Sequence, residues 1–128
     1  MTAVASRIGT INLVIVPSTN QDKAIKFYES LGFEKRTDVP FGDKYRWVEV
    51  YPPAGTTGIA LAPPREGDPV GVQTGISLTT DDINSTHAHL HSLGADVDAE
   101  LAHMGAPVPP MFWFRDPDGN SLMVVETS

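Results

Sequence analysis

The chain has 128 residues, a net charge of −7 and no cysteine. This length predicts one domain with a core that needs no covalent staples, and the missing cysteines exclude disulfides and thiolate metal sites. The acidic balance speaks against nucleic acid, whose phosphates need clustered Lys and Arg, and no apolar run approaches the roughly 20 residues of a membrane span, so a soluble cytoplasmic protein is expected.

Ile8–Val16 reads as a strand ended by Pro17. Asn20 stands where a helix cap would, with Asp22 in the first turn favourable to the dipole. Ala24, Phe27, Tyr28 and Leu31 recur at helical spacing and predict one apolar face, and Gly32 follows as a terminator. Phe33–Thr37, Tyr45–Tyr51 and Gly58–Ala62 read as strands, joined by turns at Pro40–Asp43 and Pro52–Gly55. Pro63–Pro69, rich in proline, glycine and charge, reads as a linker.

The pattern then repeats. Gly75–Thr79 is a strand, Asp81 or Asp82 caps a helix with Ile83, His87, Leu90 and Leu93 on one face, and Gly94 ends it. Ala95–Val97, Pro107–Arg115 and Ser121–Glu126 complete the second set of strands. Asp116-Pro117-Asp118-Gly119 between the last two has the composition of a tight turn. Roughly sixty residues separate Gly32 from Gly94, and Gly55 from Gly119, the mark of an internal repeat. The prediction is a single α+β domain over 1–128 made of two βαβββ units, about 7–62 and 71–126, joined by a linker at 63–70. Two half-open sheets of this kind, facing each other, would enclose a cavity of the sort that ligands favour.

Phe27-Tyr28 followed by Leu31-Gly32-Phe33, and later Asp116-Pro117-Asp118-Gly119-Asn120, resemble the paired signatures of the vicinal oxygen chelate superfamily. This is the glyoxalase/bleomycin resistance protein/dioxygenase fold. The resemblance runs from about Ile8 to Glu126. Both motifs read as structure, core packing and a turn, and the fold hosts many chemistries. The resemblance implies a homodimer, consistent with sheet edges that need cover.

Enzymes of the superfamily hold a divalent metal through His, Glu or Gln on the first and last strands of each unit. The matching positions here are Leu13, Ala60, Gly75 and Met123, and none offers a donor for such a metal. A register shift of one residue still brings in no His and no carboxylate. No metal and no other cofactor is therefore expected. His87 and His91 are four apart on a helix, but no acidic third ligand accompanies them at helical spacing. His103 lies in a Gly- and Pro-rich approach to the cavity strands and reads as a surface residue or a ligand contact.

Without a metal, the expected lining is apolar and aromatic: Leu13, Ala60, Gly75 and Met123 share the inward parity of their strands. Trp47 and Trp113 occupy equivalent segments of the two units and suit a flat ligand. Arg46 and Arg115 are candidates to orient a polar edge. Three readings follow. The first is a metal-independent binder that sequesters a small aromatic or amphipathic molecule, as bleomycin-resistance proteins do. The second is an enzyme of the same fold using His103, Tyr45 or Glu49 for proton transfer. The third is a metal-dependent glyoxalase-like lyase or dioxygenase with displaced ligands. The donor-free positions favour the first.

Overall fold

The computed structural model describes residues 5–127. Its elements run β1 (Leu13–Pro17), α1 (Gln21–Ser30), β2 (Glu34–Phe41), β3 (Tyr45–Tyr51), β4 (Gly58–Ala62), β5 (Gln73–Thr80), α2 (Ile83–Ser92), β6 (Asp96–Val97), β7 (Met111–Arg115) and β8 (Ser121–Glu126). One sheet has the order β1-β4-β3-β2 and the other β5-β8-β7-β6. In each, the first strand lies parallel to the last and the remaining pairs are antiparallel. The α+β class and the two βαβββ units are those expected from the repeat.

Local chemistry sets the helix ends. The Asn20 side chain accepts from the Lys23 amide at 3.1 Å, and the Asp82 side chain from the Ser85 amide at 3.1 Å, so Asp82 rather than Asp81 is the second cap. Gly32 and Gly94 leave the helices at φ +95° and +72°, where a Cβ would be strained.

The largest departures from the sequence reading are at three strands, while β5 extends to Gln73–Thr80 and β6 shortens to Asp96–Val97. Strand β1 begins at Leu13, because its partner β4 begins opposite it at Gly58. The residues before it lack a ladder, and Ile8 and Ile11 are 89% and 71% exposed. Strand β2 runs on through Pro40, which an edge strand tolerates because no neighbour needs its missing N–H. Strand β7 starts only at Met111, since Pro107, Pro109 and Pro110 cannot donate to a ladder. On α2, Ile83 and Leu90 are buried, but Leu93 lies at the end of the helix and is 41% exposed.

The helix-covered faces of both sheets share one core. Val16, Val48, Val50, Ile59 and Leu61 from the first sheet join Phe112, Phe114, Leu122 and Val124 from the second, with Tyr28 and Leu90 between them. The turn after β7 ties the units together by polar contacts. The Tyr28 hydroxyl donates to Asp116 Oδ2 at 2.9 Å, in a setting where both residues are buried. Asn120 Nδ2 donates to the Pro17 carbonyl at 2.8 Å and to Asp116 Oδ2 at 3.0 Å. The Thr19 amide and hydroxyl both donate to Asp118 Oδ1, at 2.8 and 2.6 Å. Burial first, and then the Asp116 carboxylate, push the Tyr28 hydroxyl well above the usual phenol range, so it stays a donor.

Replacing Tyr28 by Phe keeps the ring and removes the donor. A buried hydrogen bond to a carboxylate contributes about 1.5–3 kcal/mol, and Tyr28→Phe should lower stability by that amount in urea unfolding. An unchanged midpoint would show that apolar contact alone holds the units together.

Candidate functional site

Period-two alternation decides which side chains share a face. On the first sheet, Ile15 is registered with Ala60, Ala60 with Glu49, and Glu49 with Thr37, so these four form one row across the strands. Leu13, Tyr45, Trp47 and Tyr51 stand on the same face by the same alternation. This is the face away from the shared core. Ile15 is 65% exposed, and Val39, registered with Trp47, and Tyr45 are each 48% exposed.

The polar centre of this face is Glu49. Trp47 Nε1 donates to Glu49 Oε2 at 2.7 Å, and the Tyr51 hydroxyl donates to Oε1 at 2.7 Å. The hydrogen bond to Glu49 raises the Tyr51 pKa above the ordinary phenol value. The Tyr51 ring lies where a Cβ on Gly58 would be, at 2.6 Å, so Gly58 makes room for it. A register shift between Lys35 and Thr37 sets Arg36 off the ladder, and its guanidinium lies 4.5 Å from the centre of the Tyr51 ring. Arg36 also donates to the Gly55 and Pro53 carbonyls and to Glu34, which fixes it as a wall.

On the second sheet, Trp113 is registered with Met123, and Met123 with Ser77. Gly75 shares this face, in an irregular stretch of β5 where its φ is +73°. Trp113 on β7 thus answers Trp47 on β3, each on the middle strand beside the unit's last strand. Within one chain these two open faces do not close over each other, because the opposite face of each sheet is buried in the common core. The structure therefore groups Leu13, Ala60 and Trp47 on one surface and Gly75, Met123 and Trp113 on another.

Two expected contacts stand elsewhere. Arg46 points to the other side of β3, where Asp38 takes it in a two-pronged pair at 2.7 and 2.8 Å and Asp22 at 2.7 Å. Hydrogen bonds from Arg46, then Lys35, hold the Asp38 carboxyl well below the usual carboxylate range. Arg115 is engaged in the same way by Asp96 and Asp98. His103 is exposed ahead of β7. Of the helix histidines, His87 Nε2 is 2.7 Å from the Asp98 carbonyl and His89 Nε2 is 2.8 Å from the Ser30 carbonyl.

A crevice of about 740 Å³ also lies between the units. Val14, Ile59, Ile76, Leu78, Phe114 and Val124 line it, and Thr80, Ser85, Thr86 and His89 give it a polar rim. Leu31 and Phe33 of the first motif border it, but none of Leu13, Arg46, Trp47, Ala60, Gly75, His103, Trp113 and Met123 does. Its walls carry no Asp, Glu, Lys or Arg, and the Thr80 and Thr86 hydroxyls are engaged with each other at 2.7 Å.

The Glyoxalase/Bleomycin resistance protein/Dioxygenase superfamily pattern matches residues 10–124. The chain belongs to this superfamily. TnmS3, an antibiotic binding protein from Streptomyces sp. CB03234, is 31% identical in sequence, with a TM-score of 0.81 over 96% of this chain and 99% of TnmS3. A superfamily member from Sphaerobacter thermophilus DSM 20745 is 34% identical, with a TM-score of 0.84 over 94% of this chain and 98% of that one. YurT of Bacillus subtilis (strain 168) is 30% identical over 118 residues, covering 84% of this chain and 91% of YurT.

A metal at the place the superfamily uses would need donors at Leu13, Ala60, Gly75 and Met123. The residues present do not fit one, since three have hydrocarbon or no side chains and Met123 offers a soft thioether. Among the described residues no group of three or more His, Asp or Glu side chains is arranged to hold an ion. Elemental analysis of protein purified without chelator should find well under one Ni, Zn, Mn or Fe per chain. A full equivalent of any of these would overturn the reading.

Proposed function

We propose that the protein binds and sequesters a small planar molecule, aromatic or amphipathic, without a metal, and that it does so as a homodimer. The observation that carries this is the open face of the first sheet. Two aromatic side chains, Trp47 and Tyr51, flank a carboxylate there, beside the short side chain of Ala60 and next to the exposed Ile15, with the Tyr51 ring lying over Gly58. The antibiotic binding of TnmS3, a chain of the same fold, supports a binding role. The exposed apolar side chains of Ile15, Val39 and Tyr45 on this sheet support its cover by a second copy, whose Trp113 face would supply the opposite wall. An enzyme of the same fold is the alternative. Glu49 is its best candidate base, but its two oxygens already accept hydrogen bonds from Trp47 and Tyr51.

Two measurements test this reading. Light scattering at micromolar concentration should give twice the chain mass; a monomer would remove the proposed second wall. Calorimetric titration with acridine, a neutral planar probe, should show binding that Trp47→Ala weakens about tenfold or more, since ring stacking and lost apolar contact each contribute about 1 kcal/mol. Melting should change little, because the ring stands on an open face. A loss of about 3–5 kcal/mol in stability with unchanged affinity would instead make Trp47 a core residue.

A further inference from the structure

Glu49 carries a charge that the fold does not neutralise. It is partly buried in the middle of β3, and both its oxygens accept short bonds from neutral donors, the indole N–H of Trp47 and the hydroxyl of Tyr51. Among the described residues, no Lys, Arg or His forms an ion pair with it. Arg36 is on the same side, but it stacks on the Tyr51 ring and spends its donors on Glu34 and on backbone carbonyls. The acidic side chains Asp38, Asp96 and Asp98 are instead each met by an arginine. A carboxylate withdrawn from water without a counter-ion is unfavourable unless something else supplies the positive charge.

The surroundings define what would supply it. Two hydrogen bonds fix the plane of the carboxylate, so its free lone pairs have a set direction. Trp47 stands two positions before it on the same face, and an indole face attracts a cation by its quadrupole; the Tyr51 ring, two positions after it, is already met by the Arg36 guanidinium. Across the sheet the neighbour is Ala60, whose methyl offers the carboxylate no polar partner, and beyond it is Ile15, an exposed apolar surface. The net charge of −7 raises the local concentration of cations.

We propose that Glu49, held between Trp47 and Tyr51, selects ligands that are aromatic cations, with a protonated or quaternary nitrogen on or beside a planar ring system. This rests on the binding reading above and narrows its ligand class. The carboxylate supplies the charge contact, the Trp47 ring the flat contact, and the apolar surface around Leu13 and Ile15 takes the rest of the ring system, while Tyr51 holds the carboxylate in place.

The test uses two probes of almost the same shape, N-methylacridinium, a permanent cation, and acridine, which is neutral in mildly alkaline buffer. Each is titrated calorimetrically into the wild-type protein, Glu49→Gln and, as a control for overall charge, Glu66→Gln in the linker. The wild type should bind the cation about tenfold or more tightly than the neutral probe, and this preference should shrink at high salt. Glu49→Gln keeps an acceptor for the neighbouring donors and should abolish the preference, with acridine affinity changed less than about twofold, while Glu66→Gln should leave it intact. Equal wild-type affinities for the two probes, or equal losses for both in Glu49→Gln, would overturn the proposal and leave the binding reading standing, with Glu49 only positioning the rings. Binding of neither probe to the wild type would overturn both.

Discussion

The bond between the Tyr28 hydroxyl and Asp116 Oδ2 sets the relation of the two units. Each unit buries one face of its sheet beneath its own helix, and neither face is large enough to form a core alone. Asp116 and Asn120 sit at the join, both buried. Asp116 Oδ1 accepts from the amides of Asp118 and Asn120, which shapes the turn. Its other oxygen accepts from Tyr28, and Asn120 reaches across to Pro17, which binds the turn to the first unit. The two signature motifs of the superfamily are thus halves of one polar joint. Each motif is structural, shaping its own helix or turn and also binding the two units to each other.

This joint has a consequence for where a ligand can go. Because the units meet through their helix-covered faces, the other faces of both sheets are left open. Strands β1 and β5 are sheet edges, and Ile15 on the first of them is largely exposed. Such edges and apolar side chains call for cover. The repeat gives the chain two similar walls, each with a tryptophan on its middle strand, yet the core that joins the units holds the walls of one chain apart. A closed site on these walls requires a second copy. The crevice between the units is a site that one chain forms unaided, but its lining is mainly hydrocarbon, and its Thr80 and Thr86 hydroxyls are taken up by each other.

Much of this was legible in the sequence. Tyr45–Tyr51, Gly58–Ala62 and Ser121–Glu126 are strands with the bounds their composition and flanking turns imply. Parity joins Leu13, Ala60, Gly75 and Met123 as one lining; in the chain Leu13 and Ala60 share a surface with Trp47, and Gly75 and Met123 lie on the other sheet. The errors at strand ends come from pairing, which is non-local. Nothing in Ile8–Asn12 reveals that β4 stops short of them, and Pro40 looks like a turn until β2 is known to be an edge. Arg46 and Arg115 have the composition of ligand anchors, and only three dimensions show the paired aspartates that occupy them. The tie of Glu49 to Trp47 and Tyr51 was within reach, since alternate residues of a strand share a face, but the bonds depend on rotamers that no pattern encodes.

The place of Glu49 gives the donor-free positions a physical meaning. Ala60 stands where the superfamily's metal-binding members need a ligand on the last strand of the first unit, and its register partner on β3 is Glu49. Removing the metal ligands from a cavity floor leaves an apolar surface that holds flat molecules by area, with little power to choose among them. On the proposed reading, a carboxylate one strand away, fixed by two neutral donors and in no ion pair among the described residues, supplies discrimination through charge. A metal at the centre would polarise a bound oxygen; an anion beside aromatic rings cannot do so, and favours a positive group that it need not transform. On the proposed reading the same fold holds its ligand instead of activating it, through side chains on the open sheet face and with the Tyr28–Asp116 joint unaffected.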